Sequence, residues 1–236
     1  MNTPALDDIT RNLAAVRARV AAAAARAGRD PHAVSVLAVS KRQPVAVLRS
    51  AWDAGQRDFG ESYVQEALPK LAALADRPAT WHFIGALQSN KSREVAERFQ
   101  WLHTLDREGL ARRLSEQRPT ALAPLQLCLQ VNVSNESSKG GVVPERVPEL
   151  AAAVAALPGL RLRGLMAIPA PAEDLDSQRK PFRLMRELLA DLQRRGYAVD
   201  TLSMGMSDDL EAAVLEGATI VRIGTAIFGK RPPKGG

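Results

Sequence analysis

The fold is decided first by residues 34–44, which are VSVLAVSKRQP. Residues 34–40 are mostly apolar and β-branched, which predicts a buried strand, and residues 44–54 predict the helix that follows it. An open, doubly wound sheet usually places a glycine-rich phosphate loop between such a strand and its helix. The connection here is SKRQP, residues 40–44, and it contains no glycine. The stretch therefore favours a barrel, with the doubly wound sheet as the alternative.

The rest of the chain repeats this alternation of short strands and amphipathic helices. The predicted strands are 34–40, 57–60, 81–84, 100–104, 125–133, 160–168, 199–203 and 220–223. The predicted helices between them are 44–54, 62–75, 89–98, 106–117, 144–156, 175–195 and 207–216. Such alternation indicates parallel βαβ units. Because eight units fill the chain, we predict an α/β protein that folds as a single-domain (β/α)8 TIM barrel.

An additional helix precedes the first strand. Within residues 5–28, apolar side chains recur three and four positions apart, at Ile9, Leu13, Val16 and Val20, which places them on one helical face. Asp30-Pro31 ends this helix. No linker or change of composition interrupts the chain. We expect one domain over residues 1–236, with the helix in residues 1–30 packed outside the barrel.

The composition excludes several classes of protein. Hydrophobic residues make up 46% of the chain, too many for an intrinsically disordered protein, and no apolar run reaches the roughly 18 residues of a membrane helix. Cys128 is the single cysteine, so no intrachain disulfide is possible, and no His, Asp and Glu set has metal-ligand spacing. No signal-peptide pattern is present. We therefore expect a cytoplasmic protein without a metal or membrane association.

The net charge of +6, from 32 basic and 26 acidic residues, has two interpretations. A basic chain can bind nucleic acid, or it can carry an arginine-rich surface. The basic residues are scattered, and no basic block with interleaved aromatic residues occurs of the kind that single-strand binders use. We favour the surface interpretation and expect no nucleic-acid partner. Nucleic-acid binding stays as an alternative, which would show as an affinity that falls steeply with salt.

Polar residues at the carboxyl ends of the strands are candidates for function, because a barrel carries its active site at that face. Lys41 directly follows the first strand. It is either a solvated lysine at the rim or an amine that forms a Schiff base. A Schiff-base lysine needs a lowered pKa, which burial or a neighbouring cation provides. Both interpretations stay open on the residues alone.

The last two strands are followed by a second candidate. Ser207 is predicted to cap the helix at 207–216, with Asp208 and Asp209 in its first turn. Gly224 and Thr225 follow the eighth strand. The loops after strands seven and eight form the recurring phosphate site of such barrels, although capping and tight turns would also account for these residues. A phosphate site together with a lysine after strand one suggests pyridoxal 5'-phosphate as the cofactor.

Six motifs resemble the pyridoxal phosphate homeostasis proteins, and they run in order over nearly the whole chain after the first helix. They are AVSK at 38–41, FGESYVQE at 59–66, WHFIGALQSNK at 81–91, RGLMAIP at 163–169, GMSDD at 205–209 and VRIGTAIFG at 221–229. The resemblance implies a barrel like the amino-terminal domain of alanine racemase. It also implies a protein that binds, buffers and delivers pyridoxal phosphate inside the cell, without an established catalytic turnover.

The resemblance also implies the residues of the site. Lys41 matches the lysine that forms the Schiff base, the internal aldimine, and Arg222 matches the arginine that faces the pyridine nitrogen. The full set of implied cofactor-binding residues is Lys41, Ser62, His82, Met166, Ser203, Met204, Ser207, Arg222, Gly224 and Thr225. No residue is implied to be catalytic. A monomer is implied, with apo forms of pyridoxal-phosphate enzymes as possible recipients of the cofactor.

The residues favour a carrier over an enzyme. An arginine beside the pyridine nitrogen keeps that nitrogen unprotonated, because neighbouring cations repel, and the ring is then a weaker electron sink. A racemase of this kind takes its second base from an extra domain, which we do not expect here because only 11 residues follow Thr225. A weakly active amino-acid racemase stays as the alternative. Ser62 stands where the family usually has asparagine, so we expect that side-chain contact near the cofactor's phenolic oxygen to be lost or water-mediated.

Overall fold

Eight parallel strands close into a barrel in the order of the chain. The computed structural model describes residues 6–134 and 140–229. The strands are β1 (Ser35–Val39), β2 (Asp58–Glu61), β3 (Thr80–Phe83), β4 (Trp101–Leu105), β5 (Leu125–Gln130), β6 (Leu160–Met166), β7 (Thr201–Ser203) and β8 (Ile220–Ile223). Parallel pairing of β8 with β1 closes the barrel. The predicted (β/α)8 fold is confirmed.

Helices connect each strand to the next, as the alternation predicts. They are α1 (Leu6–Arg26), α2 (Val45–Asp53), α3 (Val64–Ala73), α4 (Ser92–Arg98), α5 (Glu108–Gln117), α6 (Val147–Ala155), α7 (Leu175–Arg194), α8 (Leu210–Leu215) and α9 (Thr225–Phe228). The hydrophobic core includes buried side chains from all eight strands and from these helices. Over the residues that the structure describes, no helix combines the length and the hydropathy needed to cross a bilayer.

Helix α1 packs outside the barrel, against α2, α8 and α9. Its buried face holds the four residues of the predicted stripe together with Ala23 and Ala24. The helix ends shortly before Gly28, whose φ of 64° is a backbone conformation that glycine adopts at little cost. The packing of α1 on α8 and α9 matters for function, because these helices follow β7 and β8 and border the barrel mouth.

The structure corrects the predicted start of the helix after β7. The prediction begins this helix at Ser207, whereas α8 begins at Leu210 and Asp209 occupies its N-cap position. The Asp209 carboxylate accepts a hydrogen bond of 2.6 Å from the backbone N–H of Met206, which holds residues 206–209 in a turn ahead of the helix. Ser207 therefore belongs to a loop at the barrel mouth and does not cap α8.

Other boundaries differ by a few residues. The fifth strand ends at Gln130, where an isolated bridge between Val131 and Val142 follows, and the seventh strand begins at Thr201. The four-residue helix α9 was not predicted, because one turn is too short to show a helical period. These differences leave the order of strands and the position of the barrel mouth unchanged.

Candidate functional site

A cavity of about 570 Å³ opens at the carboxyl ends of the strands, within the roughly 300–1,000 Å³ of small-molecule sites. Its lining residues are Arg19, Val39, Lys41, Ser62, Ile84, Ile168, Met206, Ser207, Asp208, Arg222, Gly224, Thr225 and Ala226. The predicted binding residues among them are Lys41, Ser62, Ser207, Arg222, Gly224 and Thr225. The fold thus brings together residues that are up to 184 positions apart, because consecutive barrel strands deliver their ends to one mouth.

Four predicted binding residues are not among those that line the cavity. They are His82, Met166, Ser203 and Met204, and each is at most 3% exposed. Ser203 lies directly behind the cavity, since its side chain is hydrogen-bonded to Arg222. His82 lies in the barrel interior and is connected to Ser203 through His103. The resemblance implies that these four residues bind the cofactor, and the structure places them outside the cavity lining.

Lys41 is held in a turn that directly follows β1. The backbone N–H of Gln43 donates to the carbonyl of Ser40 at 3.0 Å, and the backbone N–H of Arg42 donates to the Glu66 carboxylate. Arg42 has a φ of 63°, a left-handed conformation that costs free energy for a residue other than glycine. The surrounding contacts therefore hold the turn that places Lys41 at the cavity.

A buried ion-pair cluster supports this turn from below. The Lys70 ammonium donates to Glu61 Oε1 at 2.8 Å, to Glu66 Oε1 at 2.6 Å and to the carbonyl of Ser40 at 2.8 Å. The Ser40 hydroxyl also donates to Glu61 Oε1, at 2.6 Å. The Glu61 side chain is fully buried, and its second oxygen has no partner among the described residues. The cluster thereby joins the residue before Lys41 to β2 and α3.

The charge state of Glu61 depends on two opposing effects. Burial raises the pKa of the Glu61 carboxyl, while the Lys70 charge and the hydrogen bonds from Lys70 and Ser40 lower it. Sequence reasoning quoted Glu61 within a motif and gave it no role, and it missed Lys70 altogether. A signal was present, because Val64, Ala67 and Lys70 share the buried face of α3, where a lysine needs a partner.

Arg222 is the buried cation of the cavity wall. One of its terminal nitrogens donates to the carbonyl and the hydroxyl of Ser203, and the other donates to the carbonyl of Ala167 at 2.8 Å. Burial lowers the pKa of Arg222 to about 10, against the opposing charges of Asp209 and Cys128. Arg222 is therefore still a cation at neutral pH. Three of the five N–H donors of a guanidinium are used to anchor it.

The loops after β7 and β8 form another part of the cavity lining, and α1 contributes Arg19 to it. Arg19 donates to the carbonyl of Ser207 at 2.9 Å and forms a bidentate pair with Glu211 on α8. The hydrogen bonds that Arg19 donates to Glu211 raise the pKa of Arg19. This arginine fixes the loop that carries Ser207 and adds a positive charge to the cavity. Sequence reasoning missed it, because Arg19 lies within an otherwise ordinary surface helix.

A second cavity, of about 450 Å³, adjoins the first and shares Lys41 and Ser62 with it. Its lining also includes Tyr63 and Lys91, and the Tyr63 side chain is exposed. Lys41 thus faces two neighbouring spaces at the mouth. Within residues 6–134 and 140–229, no group of three or more His, Cys, Asp and Glu side chains is placed to hold a metal ion.

Comparisons with known proteins agree with this geometry. Residues 11–232 match the family model described as "Alanine racemase, N-terminal domain". A pyridoxal phosphate homeostasis protein of Pseudomonas aeruginosa is 60% identical over 226 residues, which cover 96% of this chain and 97% of that protein. The protein of the same name from Escherichia coli K12 is 54% identical over 229 residues, which cover 96% of this chain and 98% of that protein. The solved structure of PipY from Synechococcus elongatus with PLP bound is 37% identical, with a TM-score of 0.81 over 94% of this chain and 100% of that one.

Proposed function

This chain belongs to the pyridoxal phosphate homeostasis proteins of the alanine racemase N-terminal domain family, and from that membership we propose how it holds its cofactor. It is a pyridoxal phosphate-binding protein of pyridoxal phosphate homeostasis. We propose that the cofactor occupies the cavity at the barrel mouth. The observation that carries this proposal is that Lys41, Arg222 and the hydroxyls of Ser207 and Thr225 line one cavity.

The residues of the cavity fit the chemistry of this cofactor. Arg19, Lys41 and Arg222 contribute three positive charges to the lining and Asp208 contributes one negative charge, a balance that suits a phosphate dianion. Ser207 and Thr225 supply hydroxyl donors. A Cβ on Gly224 would lie 3.5 Å from Val39, with no clash, so packing within the chain does not require glycine there. Because Gly224 has no side chain, it leaves room for a ligand in the cavity that Gly224 and Val39 both line.

Lys41 supplies the amine of the site. Bound pyridoxal phosphate supplies an aldehyde carbon that a lysine amine can attack. Lys41 follows Ser40, whose carbonyl and hydroxyl are both held by the cluster of Glu61 and Lys70. The amine is therefore attached to a backbone whose position is set by buried contacts, which lowers the entropy lost when a ligand binds.

We propose that Arg222 favours a carrier over a catalyst. Its guanidinium is buried, anchored by three hydrogen bonds and cationic at neutral pH. A fixed cation beside the pyridine nitrogen disfavours a proton there, and a neutral ring stabilises a carbanion poorly. We therefore propose that the chain buffers the cofactor and passes it to apo-enzymes. The proposal includes a monomer in the cytoplasm, a reducing compartment that suits a single buried cysteine.

The test is a covalent trap on the purified protein. After incubation with pyridoxal phosphate and reduction with borohydride, trypsin should release residues 30–42 with the mass of the reduced cofactor on Lys41. Cleavage after Lys41 should be lost, because the modified side chain no longer fits the protease. Lys41→Ala should abolish the label, and Lys91→Ala, a change in the adjoining cavity, should leave it intact. A label on other lysines with none on Lys41 would refute the assignment.

A weak racemase is the second candidate, and one observation favours it. Tyr63 lines the second cavity together with Lys41, so an amino acid placed there would lie near both a phenol and an amine. Exchange of the amino-acid α-hydrogen with deuterated solvent measures this activity. Exchange that requires both Lys41 and Tyr63 would favour the enzyme. Equal rates for the wild type, Lys41→Ala and Tyr63→Phe would support the carrier.

A further inference from the structure

A chain of hydrogen bonds crosses the barrel interior and ends on Arg222. Asp58 lies 3.2 Å from His82 Nε2, and His82 Nδ1 lies 2.9 Å from His103 Nε2. His103 Nδ1 lies 2.7 Å from the Ser203 hydroxyl, which lies 2.8 Å from the Arg222 guanidinium. The five residues come from β2, β3, β4, β7 and β8. The chain thus runs from the amino-terminal end of β2 to the wall of the cavity.

When both imidazole rings are neutral, the two ends of this chain of hydrogen bonds fix the direction of every bond within it. Arg222 can only donate, so the Ser203 oxygen accepts from it and the Ser203 proton is directed to His103 Nδ1. His103 must then carry its proton on Nε2 and donate it to His82 Nδ1. His82 in turn carries its proton on Nε2 and donates it to the Asp58 carboxylate. Among the arrangements in which both rings are neutral, this is the only one that satisfies all four contacts.

The surroundings of the two rings favour the neutral forms. His103 is fully buried and His82 is 3% exposed. Burial lowers the pKa of His82, against the opposing effect of Asp58. Burial, His82 and Arg222 lower the pKa of His103 well below its usual value. Trp101 stacks on His82 at a centroid distance of 5.4 Å and adds no charge to the ring's surroundings.

We infer that His103 and Ser203 are positioning residues that orient the Arg222 guanidinium towards the ring of the bound cofactor. His103 receives the Ser203 proton, and the Ser203 oxygen is thereby turned to accept from Arg222. Since three of five guanidinium donors are held by the barrel wall, at most two remain for a ligand, in a fixed direction. The inference rests on the proposed binding of pyridoxal phosphate in this cavity.

The chain of hydrogen bonds also connects that cavity to the opposite end of the barrel. The Asp58 side chain is 36% exposed and lines a separate cavity of about 590 Å³ beside α1. A change at Asp58 should therefore be felt at Arg222 through three intervening side chains. A merely structural role for these residues in packing the barrel interior predicts no such effect.

The experiment has one arm without the cofactor and one with it. In the unloaded protein, ¹⁵N spectra of labelled histidine should show two rings, His82 and His103, that are neutral and protonated on Nε2 at pH 7. The exposed His32 ring provides an internal comparison. A charged ring or a proton on Nδ1 of either buried histidine would overturn the inference, whether or not the protein binds the cofactor.

The second arm measures cofactor affinity and the absorption spectrum of the bound form. His103→Leu should weaken pyridoxal phosphate binding about tenfold, equivalent to about 1.4 kcal/mol, and shift the pH profile of the absorbance. His103→Gln should stay within about threefold, because its amide oxygen and nitrogen supply the same acceptor and donor. Asp58→Ala should shift the same pH profile. Ser203→Ala is a second test of the chain if His103→Leu does not fold.

A matched control separates these effects from general damage to the interior. Val95→Ala removes part of another fully buried side chain, on α4, and leaves the five-residue chain intact, so its affinity and pH profile should match the wild type. Equal affinities and pH profiles for wild type, His103→Leu and Asp58→Ala would overturn the inference. If the wild type binds no cofactor at all, the proposed function fails. The ¹⁵N spectra of the unloaded protein still test whether the chain of hydrogen bonds exists as inferred.

Discussion

Removal of the Lys70 ammonium should destabilise the protein and weaken its hold on the cofactor. In Lys70→Met the flexible side chain keeps its volume, but three hydrogen bonds from Nζ are lost. The Glu66 side chain is 27% exposed and can be rehydrated, whereas the Glu61 side chain is fully buried and cannot. The main effect is therefore an uncompensated carboxylate in the barrel wall.

The magnitude follows from this arrangement. Removing one partner of a buried ion pair costs about 3–5 kcal/mol, so we expect a loss of about 4 kcal/mol in the free energy of unfolding at pH 7. Without Lys70 the pKa of Glu61 in the folded state rises further above its unfolded value. The folded state then binds a proton that the unfolded state releases, so stability falls as the pH rises. Between pH 7 and pH 5 the loss should shrink by up to about 2.7 kcal/mol.

Urea unfolding at pH 5 and pH 7 measures both quantities. Lys91→Met is the matched control, because Lys91 is partly exposed and its pair with Glu94 is 3.7 Å long; its loss should be below about 1 kcal/mol. Adding Glu61→Leu to Lys70→Met removes the stranded carboxylate and should recover at least half of the loss. The reasoning is refuted if Lys70→Met costs no more than Lys91→Met, or if its cost does not change with pH.

Three further predictions concern the barrel and the cavity. Gly164→Ala should lower the free energy of unfolding by more than about 2 kcal/mol, because its Cβ would lie 1.9 Å from the Thr201 backbone oxygen at a φ of 156°. Gly109→Ala is the control: no atom lies within 4 Å of its added Cβ, so this change should stabilise α5. Equal effects of the two substitutions in thermal unfolding would contradict this prediction. Ser62→Asn should tighten pyridoxal phosphate binding about fivefold if a longer side chain restores one hydrogen bond, and an unchanged dissociation constant would show that Ser62 already makes the contact. Because the pKa of His103 is lowered in the folded state, the unfolded state binds this proton first as the pH falls below about 6.5. The free energy of unfolding should then drop by up to about 1.4 kcal/mol per pH unit for this group. His103→Gln should reduce this slope, and an unchanged slope would show that the ring is charged in the folded protein.

The order of elements could be predicted because the relevant signals are local. Each strand shows as a short β-branched run and each connecting helix as a periodic apolar face, so eight units emerge from the pattern alone. The predictions failed where a local signal was ambiguous. Ser207 is a favourable cap residue, but the carboxylate of Asp209 binds Met206 instead and the helix begins at Leu210. One-turn α9 offered no period at all.

The candidate site could be predicted in part, from position and from motifs. Polar residues at strand ends identified Lys41, Gly224 and Thr225, and the fold places all three on one cavity. The contributions of Arg19 and Lys70 could not be found in this way. Each lies within a helix, far in sequence from the residues it supports, and its partner is set by how that helix packs on the barrel.

The sequence by itself determined that this chain forms eight strand–helix units and which residues stand at their carboxyl ends, because strand and helix periods are properties of neighbouring residues. Only the tertiary structure decided which of these side chains face the cavity and which support it. His103 and Ser203 are 100 residues apart, and Arg19 and Ser207 are 188 apart. Their contacts exist because closure of the barrel turns alternate strand residues into one interior and packing of α1 brings an arginine to its mouth. Hydrogen-bond direction adds the last constraint, since the Arg222 guanidinium can only donate and the Asp58 carboxylate accepts.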